Sequence, residues 1–178
     1  MSDAARFEAF VREYQDMVFA TAVRLLGRET DAEDVAQTVF MRAFERFRDL
    51  ERSPSAAGWL KTVATNLCLN HLSRYRARWQ FFSDMEAVGD SQRLSSRIAL
   101  LASAPEELER IERQERLERA LRRLPDHQRV PLVLFHFEEM SYQQIADALG
   151  VSVSKVKTDI HRGRDALKQE LTTPHGSR

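Results

Sequence analysis

The sequence predicts an all-α protein of two small helical domains, an N-terminal helical bundle and a C-terminal helix-turn-helix domain, joined by a linker. Three observations carry this. The 178 residues include only 6 glycines and 5 prolines, so long runs pass without the punctuation that strands and tight turns need. Apolar residues recur at three- and four-residue steps through most of the chain, the period of one helix face. That period lapses over residues 79–104, where "SDMEAVGDSQRLSS" is polar and turn-rich. The expected division is a first domain at 1–78, a linker at 79–105, a second domain at 106–172 and a tail at 173–178. A chain with 43% apolar and 30% charged residues belongs with soluble globular proteins.

The first helix is expected from about Ala4 to Leu26, with Phe7, Phe10, Val11, Tyr14, Val18, Ala22 and Leu25 on one face and Gly27 as its C-terminal cap. Thr30 and Glu33 have capping-box spacing and predict the start of "TDAEDVAQTVFMRAFERF". Val35, Val39, Ala43 and Phe47 line its inner face, with Phe40 and Phe44 beside them; Asp34, Gln37, Thr38, Met41, Arg42 and Glu45 face out. Arg52–Gly58, "RSPSAAG", reads as a loop. A helix from Trp59 to about Arg78 then turns Trp59, Val63 and Leu67 inward, with Cys68 as a small buried hydrophobe. These helices suffice for a compact bundle.

Within the linker, Phe81, Phe82, Ile98, Leu100 and Leu101 need some partner, either as a docked helix or as a segment that folds against another protein. Ser103-Ala104-Pro105-Glu106 signals the next helix. It carries Leu108, Ile111, Leu117, Leu121 and Leu124 on one side and alternating acids and bases elsewhere. Pro125-Asp126 restarts the chain into "DHQRVPLVLFHFEEM", whose Pro131 implies a late start or a kink. Ser141 and Gln144 again have capping-box spacing. Tyr142, Ile145, Ala146 and Leu149 form an inner face, Gly150 permits a tight turn, and Ser152 or Ser154 can cap the last helix. Val153, Val156, Ile160 and Leu167 are that helix's apolar stripe. Ser154, Lys155, Lys157, Thr158, Asp159, His161, Arg162 and Arg164 surround it. A helix of this kind can enter the major groove of DNA.

The formal net charge is zero, yet it is unevenly spread. Residues 1–51 carry 7 basic and 11 acidic side chains, whereas residues 52–78 carry 5 basic and none acidic. Residues 141–178 are again net basic, with 6 against 4. Two separated basic segments suit two phosphate-facing surfaces. No glycine-rich phosphate loop is present, and the five histidines show no metal-ligand spacing, which speaks against an enzyme. No cofactor or metal is expected. No apolar leader follows a basic start and no run reaches the ~18 apolar residues of a membrane span, so a cytoplasmic chain without membrane insertion is expected.

"DAEDVAQTVFMRAFERF" and "MSYQQIADALGVSVSKVKTDIHRGRDAL", with "WLKTVATNLCLNHLSR" and "LPDHQRVPLVL" between them, resemble the extracytoplasmic-function (ECF) sigma factors of bacterial RNA polymerase. The resemblance covers about residues 5–78 and 106–171, in the family's order. It implies a promoter-specificity subunit without catalysis of its own. Its partners would be bacterial core RNA polymerase, promoter DNA and an anti-sigma factor. Core polymerase docking would fall to Asp34, Gln37, Thr38, Phe40, Met41 and Arg42; Thr38 stands where the family often has an acid. Recognition of the −10 element would fall to Lys61, Asn66, Asn70, Arg74, Arg76 and Arg78, where Asn70 replaces an aspartate of many relatives. Trp59 is either a base-stacking residue or part of the core. Recognition of the −35 element would fall to Ser154, Lys155, Lys157, Thr158, His161 and Arg162. Asp159 stands where the family commonly has a basic residue. It could repel phosphate, accept from a cytosine amino group, or pair with Lys155. The linker, with Asp84, Glu86 and Asp90, would thread towards the polymerase cleft. Two rivals remain: a stand-alone helix-turn-helix regulator, which explains only 141–171, and a helical adaptor, which leaves the acid-free segment without a role.

Overall fold

The computed structural model describes residues 2–79 and 104–173, and for 74–79 the backbone alone. These residues form eight α-helices in two compact units. Most of the expected linker, the tail beyond Thr173, the linker's apolar and acidic residues, and the side chains of Arg74, Arg76 and Arg78 lie outside the described residues.

The first unit holds α1 (Asp3–Leu26), α2 (Glu29–Glu45), the single turn α3 (Phe47–Leu50) and α4 (Ala56–Trp79). Ser2 caps α1 by accepting from the Ala5 N–H, and Gly27 ends it in the left-handed region at φ 74°. The turn is complete so early that Arg28 already stands as the extended residue before α2. Thr30 therefore lies inside the helix, and the expected Thr30–Glu33 box is not the cap. Glu29 and Asp31 favour the start instead, as acids at the positive end of the helix dipole.

Val18, Ala22 and Leu25 of α1 pack against Ala32, Val35, Val39 and Ala43 of α2 and Leu60, Ala64 and Cys68 of α4, all buried. The alanines let helix backbones approach, while each buried Leu or Val contributes roughly 1.5–3 kcal/mol of transfer free energy. At one end Phe47 stands edge-on to Phe7 and Phe10, at 5.1 and 5.6 Å between ring centroids. Phe44, expected near the core, is instead 59% exposed.

The helix α4 begins three residues before Trp59, because the Ser55 carbonyl already accepts the Trp59 N–H at 2.9 Å. Ala56–Gly58 are thus helical rather than loop. The inward stripe is Ala56, Leu60, Ala64, Cys68 and Leu72, and the expected Trp59, Val63 and Leu67 lie one position round, half-buried. Trp59 lies beneath the Arg46 guanidinium, 5.9 Å from its ring centroid.

The second unit holds α5 (Pro105–Arg123), α6 (Asp126–His136), α7 (Tyr142–Leu149) and α8 (Val153–Thr172). Pro105 opens α5 at a position where no N–H is needed. Ile111 and Leu121 are buried and Leu117 half-buried, but Leu108, expected on that face, is 43% exposed near the helix start. The late start considered for α6 does not occur. The helix runs from Asp126 and Pro131 sits within it, its ring buried and one N–H to the His127 carbonyl forgone. Buried Arg129 anchors this start: one guanidinium nitrogen donates to the Leu124 carbonyl at 3.0 Å and another pairs with Asp126. The long helix α8 packs on α5, α6 and α7. Gly163 makes the α6 contact possible, since a Cβ there would lie 3.2 Å from the Gln128 carbonyl oxygen.

Candidate protein-docking and nucleic-acid surfaces

In α2 the inner residues are the small and branched ones, so the outer face keeps what the core cannot use. At 100° per residue, Asp34, Gln37, Thr38, Met41 and Phe44 share one side. Asp34 and Gln37 are exposed; Thr38 is half-buried and its hydroxyl donates back to the Asp34 carbonyl at 3.0 Å. Met41 is 64% exposed, Arg42 is exposed and Phe40 is half-buried. Phe44 stands edge-on to Phe7 at 4.9 Å between centroids, yet keeps most of its surface in solvent. The result is an acid and an amide at one end and bare apolar side chains at the other, the make-up of a protein contact rather than a solvated face. Phe44 was not singled out as a docking residue from sequence. Its place three residues after Met41 was the available signal.

On α4 the exposed side chains form a second stripe. Asn66 and Asn70 are both exposed, one turn apart, and aligned with Thr62 and Ser73. The Thr62 hydroxyl donates to the Gly58 carbonyl at 2.9 Å and that of Ser73 to the Asn70 carbonyl at 2.8 Å, so both present acceptor lone pairs outward. The two side-chain amides make no hydrogen bond within the described residues and keep donors and acceptors for a base edge. The expected Lys61 does not join them: it is half-buried and about 140–180° round the helix from the two asparagines. The stripe carries no carboxylate. Thr62 was missed in the sequence and lies one turn before Asn66.

The helix-turn-helix follows its expectation closely. Ser141 and Gln144 form a complete capping box: Ser141 Oγ accepts from the Gln144 N–H at 3.1 Å, and Gln144 Oε1 accepts from the Ser141 N–H at 2.9 Å. Ile145 and Ala146 are buried against α8. Gly150 is left-handed at φ 63°, and its N–H and that of Val151 both donate to the Ala146 carbonyl. Of the two candidate caps for α8, Ser152 serves, accepting the Lys155 N–H at 3.1 Å. Val156 and Ile160 are buried.

The outer face of α8 brings together Ser154, Lys155, Thr158, His161 and Arg162, all exposed. Their states differ. Lys155 Nζ lies 2.7 Å from Asp159 Oδ2, and this is the pairing among the roles open to Asp159. Thr158 donates to the Ser154 carbonyl at 3.0 Å, which leaves its lone pairs and methyl group to a ligand. His161 lies 3.5 Å from Asp165. Arg162 has no polar partner among the described residues. Lys157 lies over the Tyr142 ring at 5.6 Å, Tyr142 stacks on Phe135 at 4.9 Å, and the Arg164 guanidinium lies over the Phe135 ring at 5.6 Å. Arg164 Nε also donates to His136 Nε2 at 3.1 Å. Partial burial, then the Arg164 charge, hold the His136 imidazole below its ordinary range.

Among the described residues no group of histidine, cysteine and acidic side chains is placed to hold a metal ion, and no helix is long and apolar enough to cross a membrane.

Comparison with known proteins matches both units. The family described as Sigma-70 region 2 matches residues 10–78, and the family described as Sigma-70, region 4 matches residues 114–167. The chain is 30% identical over 171 residues to the ECF RNA polymerase sigma factor SigW of Bacillus subtilis, covering 95% of this chain and 90% of that one. It is 34% identical over 166 residues to the ECF RNA polymerase sigma factor SigE of Mycolicibacterium smegmatis, covering 93% of this chain and 61% of that one. Among solved structures, a complex of the sigma factor RpoE with the anti-sigma factor NepR from Bartonella quintana matches with a TM-score of 0.51 and 20% identity. The match covers 95% of this chain and 98% of that one. At that identity the likeness concerns the fold.

Proposed function

The chain belongs to the extracytoplasmic-function sigma factors, the promoter-specificity subunits of RNA polymerase, and from that membership we propose which of its residues meet which partner. The outer stripe of α2, with Asp34, Gln37, Thr38, Met41 and Arg42 joined by Phe44, docks on core polymerase. The α4 stripe of Asn66 and Asn70, extended by Thr62, takes the −10 element, together with Arg74, Arg76 and Arg78, which are assigned to it from the family resemblance alone. The outer face of α8, with Ser154, Lys155, Thr158, His161 and Arg162, takes the −35 element. We take the two domains to be 1–78 and 106–172. The chain contributes no catalysis, works in the cytoplasm beside the polymerase, and is held inactive by an anti-sigma factor that covers these faces.

The observation that carries this reading is the coexistence on one chain of an exposed Asp–Gln–Met–Phe stripe and a helix-turn-helix. A stand-alone regulator accounts for the second unit and leaves residues 10–78 idle. Reconstitution with core polymerase tests the assignment. Replacing Asp34 and Gln37 by Ala weakens core association about tenfold or more with helicity unchanged. Replacing Lys155 and Arg162 by Ala lowers transcription from promoters with a −35 element and spares core binding. Neutralising Arg74, Arg76 and Arg78 removes promoter-dependent initiation with core binding intact. Equal effects from the α2 and α8 sets would show that the labour is not divided this way.

A further inference from the structure

We propose that Asp159 is a positioning residue for base readout: from the covered side of the recognition helix it holds the Lys155 ammonium in one direction, so that Lys155 addresses a base edge rather than a phosphate. The proposal rests on the reading of α8 as the −35 helix.

The geometry is asymmetric. The Asp159 side chain is 8% exposed and that of Lys155 51%, with Nζ and Oδ2 2.7 Å apart. A carboxylate so covered does not reach a cytosine amino group, and its charge is met directly by the ammonium. Helix energetics give no reason for the pair. Lys155 is the third residue of α8, near the positive end of the helix dipole, where a cation is disfavoured. The acid lies C-terminal to the base, the weaker order for a pair four residues apart. Burial of a carboxylate also costs stability unless a partner offsets it. What the arrangement achieves is a lysine that no longer wanders. Its long stem carries high rotamer entropy, and fixing it before binding removes that cost from recognition.

The chemistry at the tip follows. An ammonium has three donors. One is held by Asp159, leaving two directed outward from the first turn of α8, where recognition helices meet base edges. Two donors match the adjacent N7 and O6 acceptors of guanine in the major groove. The same pairing offsets the charge that would draw Lys155 to phosphate. Arg162, two turns on and without a partner among the described residues, is the cation left for that task.

The test uses holoenzyme reconstituted with wild type, Asp159→Ala, Asp159→Leu, Asp159→Asn and Lys155→Ala. Transcripts are sequenced from a promoter library randomised over the −35 element with a constant −10 element. Wild type should prefer guanine at one −35 position. Lys155→Ala and Asp159→Ala should each reduce that preference about tenfold, whereas Asp159→Asn, whose amide oxygen still accepts from the ammonium, retains it. Asp159→Leu fills the buried space without an acceptor and carries the test if Ala unfolds the domain. Promoter binding by Asp159→Ala should also fall more steeply with salt, by about one unit of log–log slope, as the freed lysine joins the phosphate contacts. A purely structural Asp159 would lower use of all promoters alike and leave the base profile unchanged. That profile, unchanged in Ala and Leu but altered in Lys155→Ala, overturns the proposal and leaves the reading of α8 standing. A profile unchanged in Lys155→Ala as well overturns both.

Discussion

Single side chains in the second unit are tied to one another more than their exposure suggests. The His136 Nε2 that accepts from Arg164 must be unprotonated, and burial and the Arg164 charge both depress the imidazole pKa. The folded state therefore binds this proton less readily than the unfolded chain. The stabilisation is complete above the ordinary imidazole range, near 6.5, and is lost as pH falls through it. Hydrogen exchange of α6 and α8 amides should show weaker protection at pH ~5.5 than at ~7.5. His136→Gln, whose amide can accept from Arg164 at either pH, should flatten that difference; an unaltered difference would place the titration elsewhere. Asp159 shows what sequence leaves undecided at this scale. Its spacing from Lys155 was visible, but three roles suited it equally, and only its burial separates them.

At the scale of elements, caps and turns were the most legible features, because they depend on local chemistry. The Ser141–Gln144 box, left-handed Gly27 and Gly150, and Pro105 at the start of α5 all follow the sequence. Helix rotation was less legible. In α4, Trp59, Val63 and Leu67 and the stripe Ala56, Leu60, Ala64, Cys68 and Leu72 have the same period one residue apart. Size favoured the first set, but a core between three close helices needs the small residues of the second. The Thr30 box failed for a related reason: a valid local pattern was pre-empted by the cap of the helix before it. Close approach also yields a prediction. Gly163→Val drives a side chain into the Gln128 carbonyl and should destabilise the second unit by roughly 1–3 kcal/mol, with the first unit's melting unchanged. Gly58, with nothing within 4 Å of where its Cβ would be, should instead gain up to about 1 kcal/mol as Ala. Denaturant melts of the two variants check the contrast.

For the whole molecule, a net charge of zero concealed its partners, and the distribution disclosed them. The acids of α2 lie at its helix start and on its exposed face, while α4 carries its polar stripe without any. On α8 much of the positive charge is committed internally, to Asp159, Tyr142, Phe135 and His136. Such a chain should hold DNA weakly by itself and need polymerase to keep it near. At ~150 mM salt, footprinting should find little protection of a −35 element by the isolated protein and clear protection once core enzyme is added. Tight protection without core would identify a self-sufficient regulator. The surfaces proposed to meet polymerase and DNA were visible in the sequence as residue types, but not which members stand exposed on a common line. That depends on the core choosing its own residues first.

The links between successive helices are short: two residues between α1 and α2, two between α5 and α6, five between α6 and α7, three between α7 and α8. Each unit is built from stretches close together in the chain, so the entropy spent in closing its loops is modest. Helical domains of that kind fold in microseconds to milliseconds. Translation takes far longer, at about 5–20 residues per second, so the first unit can assemble while the second is still being made. How quickly a cell changes its pattern of transcription through this subunit is then not limited by its folding.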